Sequence, residues 1–312
     1  MSAADQPASQ LRDRPVKGDR CPGGNRPDGW KSHYRPDDQV HVDGREQACR
    51  QPLLLVAHGS RDPRFAPQLA AVAEGVRALE PSLPVALGFL ELSTPSVAQA
   101  VVPLIAAGQS SIVVVPMLLG SAFHAEIDLP VQLEQAMPQR GPQAQGAATK
   151  PASPLAGNSQ LHQAPVLGTD PAMADALESQ ARQLDRCDGI VLLGAGSSDP
   201  RLSAQLAARA EDLSGRLGQP VETAFVTRSP SLDEAVGRLA RRGVRRPGLV
   251  PWFLAAGVLL DRGLRRASEL GVREVAPTLA DGPRLPAIVL SRYHVVADQL
   301  AVPTTASRAR AS

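Results

Sequence analysis

The sequence predicts an α/β protein of two similar lobes, each a small parallel sheet flanked by helices, related by a pseudo-two-fold duplication. Two observations carry this expectation. Short apolar runs alternate with helical stretches from residue 52 to about 300, the β-α-β-α order of a parallel sheet covered on both faces. The series also occurs twice: VAHGSRDPR at 56–64 returns as LGAGSSDPR at 193–201, with five of nine positions identical at an offset of 137. QLAA (68–71) recurs as QLAA (205–208), TPSVAQAV (94–101) as SPSLDEAV (229–236), and APVLG (164–168) as APTLA (276–280). Self-similarity at this length marks repeated structural units.

Residues 1–50 are polar, rich in Asp, Arg, Pro and Gly, and lack hydrophobic periodicity, so they read as a disordered extension. Cys21, His33, His41 and Cys49 lie there too far apart for the paired spacing of a zinc site. LLLVA at 53–57 is a continuous apolar run, the pattern of a strand buried on both faces. A helix is expected over 63–79, where Leu69, Val72, Val76 and Leu79 share a face and Pro63 suits a first turn. Strand 84–90, helix 95–107, strand 111–115 and a helix from about 124 to 136 continue the series. Residues 138–163, rich in Pro, Gln, Gly, Ala and Ser, read as a low-complexity insertion, after which strand 164–168 and helix 171–184 resume the pattern. The second series runs through strand 189–193, helix 200–217, strand 220–226, helix 230–241, strand 247–251, helix 258–269, strand 272–276 and helix 283–298. The lobes are therefore placed at 51–186 and 187–300, with 301–312 as a tail.

Composition narrows the function. The net charge is +2 and aromatic residues make up 3% of the chain, which argues against a nucleic-acid binder built on a basic stripe or on stacking platforms. Three scattered cysteines, Cys21, Cys49 and Cys187, form neither a disulfide framework nor a CxxC pair, so a cytoplasmic setting is expected. No apolar run is long enough for a bilayer span, and the N-terminus lacks a signal-peptide core, so no membrane association is expected. GxxxxGK[ST], GxSxG and HExxH are all absent, which removes the usual signals for ATP binding, serine hydrolysis and zinc proteolysis.

The chemistry concentrates in the first copy. His58 follows the strand 53–57, Glu91 follows the strand 84–90, and His124 lies eight residues past Pro116, at the end of the third strand. Ligands of open parallel sheets bind outside the carboxyl ends of the strands, so the three groups are expected at one edge. Two imidazoles and a carboxylate with an open position suit a divalent first-row transition metal. The second copy has Ala195, Thr227 and Leu259 at these places, whereas the turn residues persist as Gly196, Asp199 and Pro200. A role in the fold would survive in both copies; this set does not. Gly59-Ser60-Arg61-Asp62-Pro63 also resembles an anion-binding turn at a helix start, although only Arg61 of these is changed in the second copy, to Ser198. Ser60 and His58 alone do not make a catalytic triad. His162 and His294 read as incidental, and Arg241, Arg242, Arg245 and Arg246 as a solvated helix end.

VAHGSRDP at 56–63, GFLE at 88–91 and VVVPMLLGSAFHAEIDLP at 113–130 resemble the class II tetrapyrrole chelatases, in particular the long, duplicated form of the sirohydrochlorin chelatase (CbiX/SirB) family. The resemblance covers about 51–300. It implies a chelatase-like fold and a cytoplasmic lyase that inserts Fe²⁺ or Co²⁺ into sirohydrochlorin without ATP, for siroheme or cobalamin. The metal is then a substrate and no tightly bound cofactor is expected. His58 and His124 would be the metal-binding histidines and Glu91 their acidic partner. Because sirohydrochlorin carries eight carboxylates, Arg61 or Arg64 would bind one of them as a fork, beside Ser60. A non-catalytic metal or tetrapyrrole carrier is the alternative; a histidine-dependent phosphohydrolase fits less well, since no arginine precedes His58. The resemblance leaves the oligomeric state open.

Overall fold

The structure is a computed structural model and describes residues 50–120, 129–130 and 160–301. The expected extension up to residue 49, most of the insertion, the tail and most of the helix over 124–136 lie outside the described residues, although Leu129 is helical and buried.

Among the described residues eight strands form two four-stranded parallel sheets of the same topology. In the first, β1 (Leu53–Ala57), β2 (Val85–Phe89), β3 (Ser111–Pro116) and β4 (Gln160–Gln163) lie in the order β2-β1-β3-β4. In the second, β5 (Gly189–Gly194), β6 (Val221–Phe225), β7 (Pro247–Trp252) and β8 (Glu274–Val275) lie in the order β6-β5-β7-β8. The registers correspond as well: Ala57 pairs with Phe89 and Val56 with Pro116, as Gly194 pairs with Phe225 and Leu193 with Pro251. This fixes Ala195 and Thr227 as the true counterparts of His58 and Glu91.

The helices are α1 (Phe65–Leu79), α2 (Val97–Ala106), α3 (Met173–Ala181), α4 (Pro200–Leu217), α5 (Leu232–Arg241), α6 (Val258–Glu269) and α7 (Leu285–Ala301). Their starts are chemically equivalent in the two halves. Ser96 caps α2 in a capping box with Gln99, and Ser231 caps α5 in one with Glu234. Alternation along the strands divides the core: Leu53, Leu55 and Ala57 face one side of the first sheet with Ile190 and Leu192 of the second, while Leu54 and Val56 face α2 on the other side.

One expected strand is corrected. Residues 164–168 do not form a strand; the edge strand is Gln160–Gln163, inside the expected insertion, and 167–169 make a 3-10 turn. An edge strand is paired on one side only and is half open to solvent, so it needs no continuous apolar run, and its polar sequence QLHQ hid it. His162 thus sits in a strand rather than in a loop.

The two sheets use separate stretches of chain, Leu53–Gln163 and Gly189–Val275, but their covering helices do not. Helix α7 packs on α1 and β3 of the first half, and α3 packs on α4 and β7 of the second. Each half thus closes the other's sheet. Tyr293 of α7 donates its hydroxyl to the Gln51 carbonyl at 2.8 Å, and His294 approaches Glu80 at 2.7 Å. The Arg292 guanidinium lies 2.9 Å from the nearly buried Asp170 carboxylate.

Candidate metal centre

The site is built where β1 and β2 end. The β1–β2 ladder runs past both strands: Leu90 N–H donates to the Ala57 carbonyl and Glu91 N–H to the His58 carbonyl, each at 2.9 Å. These bonds set His58 and Glu91 side by side, with His58 Nδ1 3.4 Å from Glu91 Oε1. The imidazole is 35% exposed and the carboxylate 55%, so both remain accessible. His124 lies outside the described residues. Among those described, no three His, Cys, Asp or Glu side chains converge as a metal site.

Two glycine properties make the close approach possible. Gly59 has φ +97°, in the region that L side chains rarely enter. A Cβ there would also lie 1.7 Å from the Glu91 carbonyl oxygen. Ser60 N–H donates to Ser93 Oγ at 3.0 Å, and the Ser93 hydroxyl donates to the Ser60 carbonyl at 2.9 Å, so the two loops are clamped. Ser60 itself closes its turn by accepting from Asp62 N–H.

Beyond Glu91 the backbone is strained. Ser93 N–H donates to the Glu91 carbonyl at 2.7 Å across Leu92, whose φ is +61°. That is a γ-turn of the rare positive-φ hand. A leucine in the left-handed region costs about 1–2 kcal/mol. Among the described residues Leu92 is the only non-glycine with positive φ. In the second half a different contact serves: the Thr227 hydroxyl donates to the Ala195 carbonyl at 2.9 Å.

The two arginines part company. Arg61 is exposed. Arg64 is engaged: Nε and Nη2 donate to the two oxygens of Asp62 at 2.9 and 2.6 Å, and Nη2 also donates to Asp261 of α6 at 2.6 Å. Arg64 holds the Asp62 carboxyl down at about 2. A substrate carboxylate reaching Arg64 must therefore compete with two acidic side chains. Ser93, Leu92 and Asp261 escaped the sequence reading. Of these Leu92 and Ser93 left a trace: the copies match at an offset of 136 at Glu91 and 135 from Thr94, so the first copy carries one residue more at this loop.

A cavity of about 240 Å³ opens at the strand ends of the second sheet, lined among others by Ala195, Phe225 and Trp252 and closed by Leu119 and Gly168 of the first half. Among the described residues its walls contain no imidazole or carboxylate. The counterpart of the His58 edge thus keeps a cavity, with the Arg209 guanidinium over the Trp252 ring, where the first half has His58 and Glu91.

The duplicated α/β fold of two parallel four-stranded sheets is chelatase-like. A family model for CbiX matches residues 52–184 and again 189–294, and the chain belongs to that family. It is 26% identical over 212 residues to a sirohydrochlorin cobaltochelatase of Priestia megaterium, covering 67% of this chain and 66% of that relative. It is 28% identical over 216 residues to a sirohydrochlorin ferrochelatase of the same organism, covering 67% of this chain and 75% of the relative. The fold is also that of SirB from Bacillus subtilis, solved with Fe³⁺: TM-score 0.65, 24% identity, 80% of this chain and 97% of that one. Among the described residues no helix is long and apolar enough to cross a membrane.

Proposed function

We propose that this chain is a sirohydrochlorin chelatase of the lyase class that inserts Fe²⁺ or Co²⁺ into sirohydrochlorin without ATP, in the cytoplasm, using the first half of the molecule alone. The repeat units are 51–186 and 187–300. The observation that carries the reading is the pairing of His58 with Glu91 at 3.4 Å, in a half whose register counterparts are Ala195 and Thr227.

Insertion must strip water from the metal ion and remove two pyrrole N–H protons. A neutral imidazole ligates a first-row divalent ion yet releases it to a stronger tetradentate acceptor. His58 takes that role with His124. A carboxylate within hydrogen-bond reach of a pyrrole N–H serves as general base. Glu91 takes that role, oriented by the clamp of Ser60 and Ser93. Arg61, exposed beside the site, meets a carboxylate of the macrocycle.

The test is the change in tetrapyrrole absorbance when sirohydrochlorin and Fe²⁺ or Co²⁺ are mixed with the protein. His58→Ala and Glu91→Gln, folded by circular dichroism, should lose about a hundredfold or more in insertion rate at saturating metal. Near wild-type rates in both variants would refute the assignment, and binding without any insertion by the wild-type chain would make it a carrier.

A further inference from the structure

The strained γ-turn next to Glu91 has no counterpart in the half that lost the ionisable set. There a single residue, Arg228, lies between Thr227 and Ser229-Pro230, where the first half has Leu92 and Ser93 between Glu91 and Thr94-Pro95; Arg228 has no positive φ, and the γ-turn takes up the extra residue. The strain is thus confined to the equipped half. It is also placed on an unsuitable residue, because glycine or asparagine would occupy φ +61° more cheaply. Local structure therefore gains from the turn but not from the leucine.

The side chain is not used by the core either. Leu92 is 48% exposed and, among the described residues, belongs to none of the hydrophobic clusters, although it directly follows Glu91. Its neighbours at the loop tip, Glu91, Thr94 and Pro95, are exposed as well. A leucine held out of the core by a strained turn, beside an accessible carboxylate, is a contact waiting for an apolar partner.

We propose that Leu92 is a binding residue for the macrocycle: the γ-turn presents its side chain, beside the Glu91 carboxylate, to the flat apolar face of the tetrapyrrole. This rests on the function proposed above for the same site. The partner it selects is a planar conjugated ring with charge confined to its rim, as opposed to the metal ion.

The experiment compares Leu92→Asn and Leu92→Gly, both of which accept positive φ, with the conservative Leu92→Met. Affinity for sirohydrochlorin is first measured without metal, by absorbance titration, so that the outcome does not depend on insertion. Asn and Gly should weaken that affinity, and raise KM for the tetrapyrrole, about tenfold, which is the loss of roughly one apolar contact. KM for the metal and kcat should stay within about twofold. Met should return the affinity to near wild type, while Gly should raise the melting temperature through relief of the turn. Unchanged tetrapyrrole affinity in both Asn and Gly overturns the proposal, as does a fall in kcat alone, which would mean that Leu92 acts only by shaping the loop of Glu91. If the wild-type chain binds sirohydrochlorin but inserts no metal, the proposed reaction fails while the affinity series still decides the role of Leu92.

Discussion

At Gly59 a single hydrogen decides the site. Replacing it with alanine adds a Cβ on top of the Glu91 carbonyl, in a conformation with φ +97°. Gly59→Ala should cost about 1–2 kcal/mol from the backbone alone, and more in activity, because the loop holding Glu91 must retreat from His58. Urea melts together with insertion assays would check this; a variant with full activity would show that the 3.4 Å pair is not needed. Asp62 gives a pH prediction. Its carboxyl is drawn from 3.8 to about 2, chiefly by hydrogen bonds from the Arg64 side chain and backbone. A folded-state pKa below the unfolded value contributes stability that is complete above 3.8 and fades as the pH falls through about 2. Asp62→Asn should therefore lower the melting temperature at neutral pH. The difference from wild type should shrink steadily below pH 3.8. Thermal melts across that acid range would show it, and a constant difference would mean that Asp62 acts through its hydrogen-bond geometry instead of its charge.

Among the elements, the central strands were plain in the sequence and the edges were not. LLLVA and GIVLLG are buried on both faces, and a parallel strand in that position has no choice but to be apolar throughout. Helices α4 and α6 fall within the bounds read from the sequence, since Asp199 and Pro200 mark the start of α4 and Gly218, at φ +67°, ends it. The edge strand β4 went unseen because QLHQ has neither run nor alternation that a polar linker would lack. Its pairing with β3 from Ser111 to Val114 is what defines it. Deleting 138–159 should therefore leave stability and insertion nearly unchanged. Extending the deletion through 163 removes β4 and should lower the melting point by several degrees. Calorimetry on the two deletions separates them, and equal melting points would show β4 to be dispensable.

The whole molecule is held together by exchange. Because α7 covers the first sheet and α3 the second, neither half carries all the helices that bury its own strands. Leu177 of α3, Tyr293 of α7 and strand residues of both sheets belong to one core. A chain cut at 186/187 should give fragments that are poorly soluble alone, each with an apolar sheet face uncovered. Co-expressed, the fragments should reassemble and recover insertion activity, since the exchanged helices keep their partners. Size-exclusion chromatography and circular dichroism of 50–186 alone, 187–301 alone and the pair would show this; a folded, active 50–186 fragment would refute it. The ion pair of Arg292 with Asp170, at 2.9 Å, joins the same two halves.

By itself the sequence determined the duplication, the parallel α/β class, the central strands and the placing of His58 and Glu91 at adjacent strand ends. Each follows from short-range rules, namely burial pattern, turn chemistry and the comparison of two copies of one unit. Only the tertiary structure decided that α3 and α7 trade sheets, that Arg64 is already held by Asp62 and Asp261, and that Leu92 sits in a strained turn. The packing of α7 on the first sheet and the Arg64–Asp261 contact depend on surfaces that meet far apart along the chain, 197 residues for that pair, and a partner at such a distance leaves no mark in local periodicity. The third is a backbone conformation that leucine disfavours, so residue preference points away from it, and only the hydrogen bonds anchoring the loop on either side impose it.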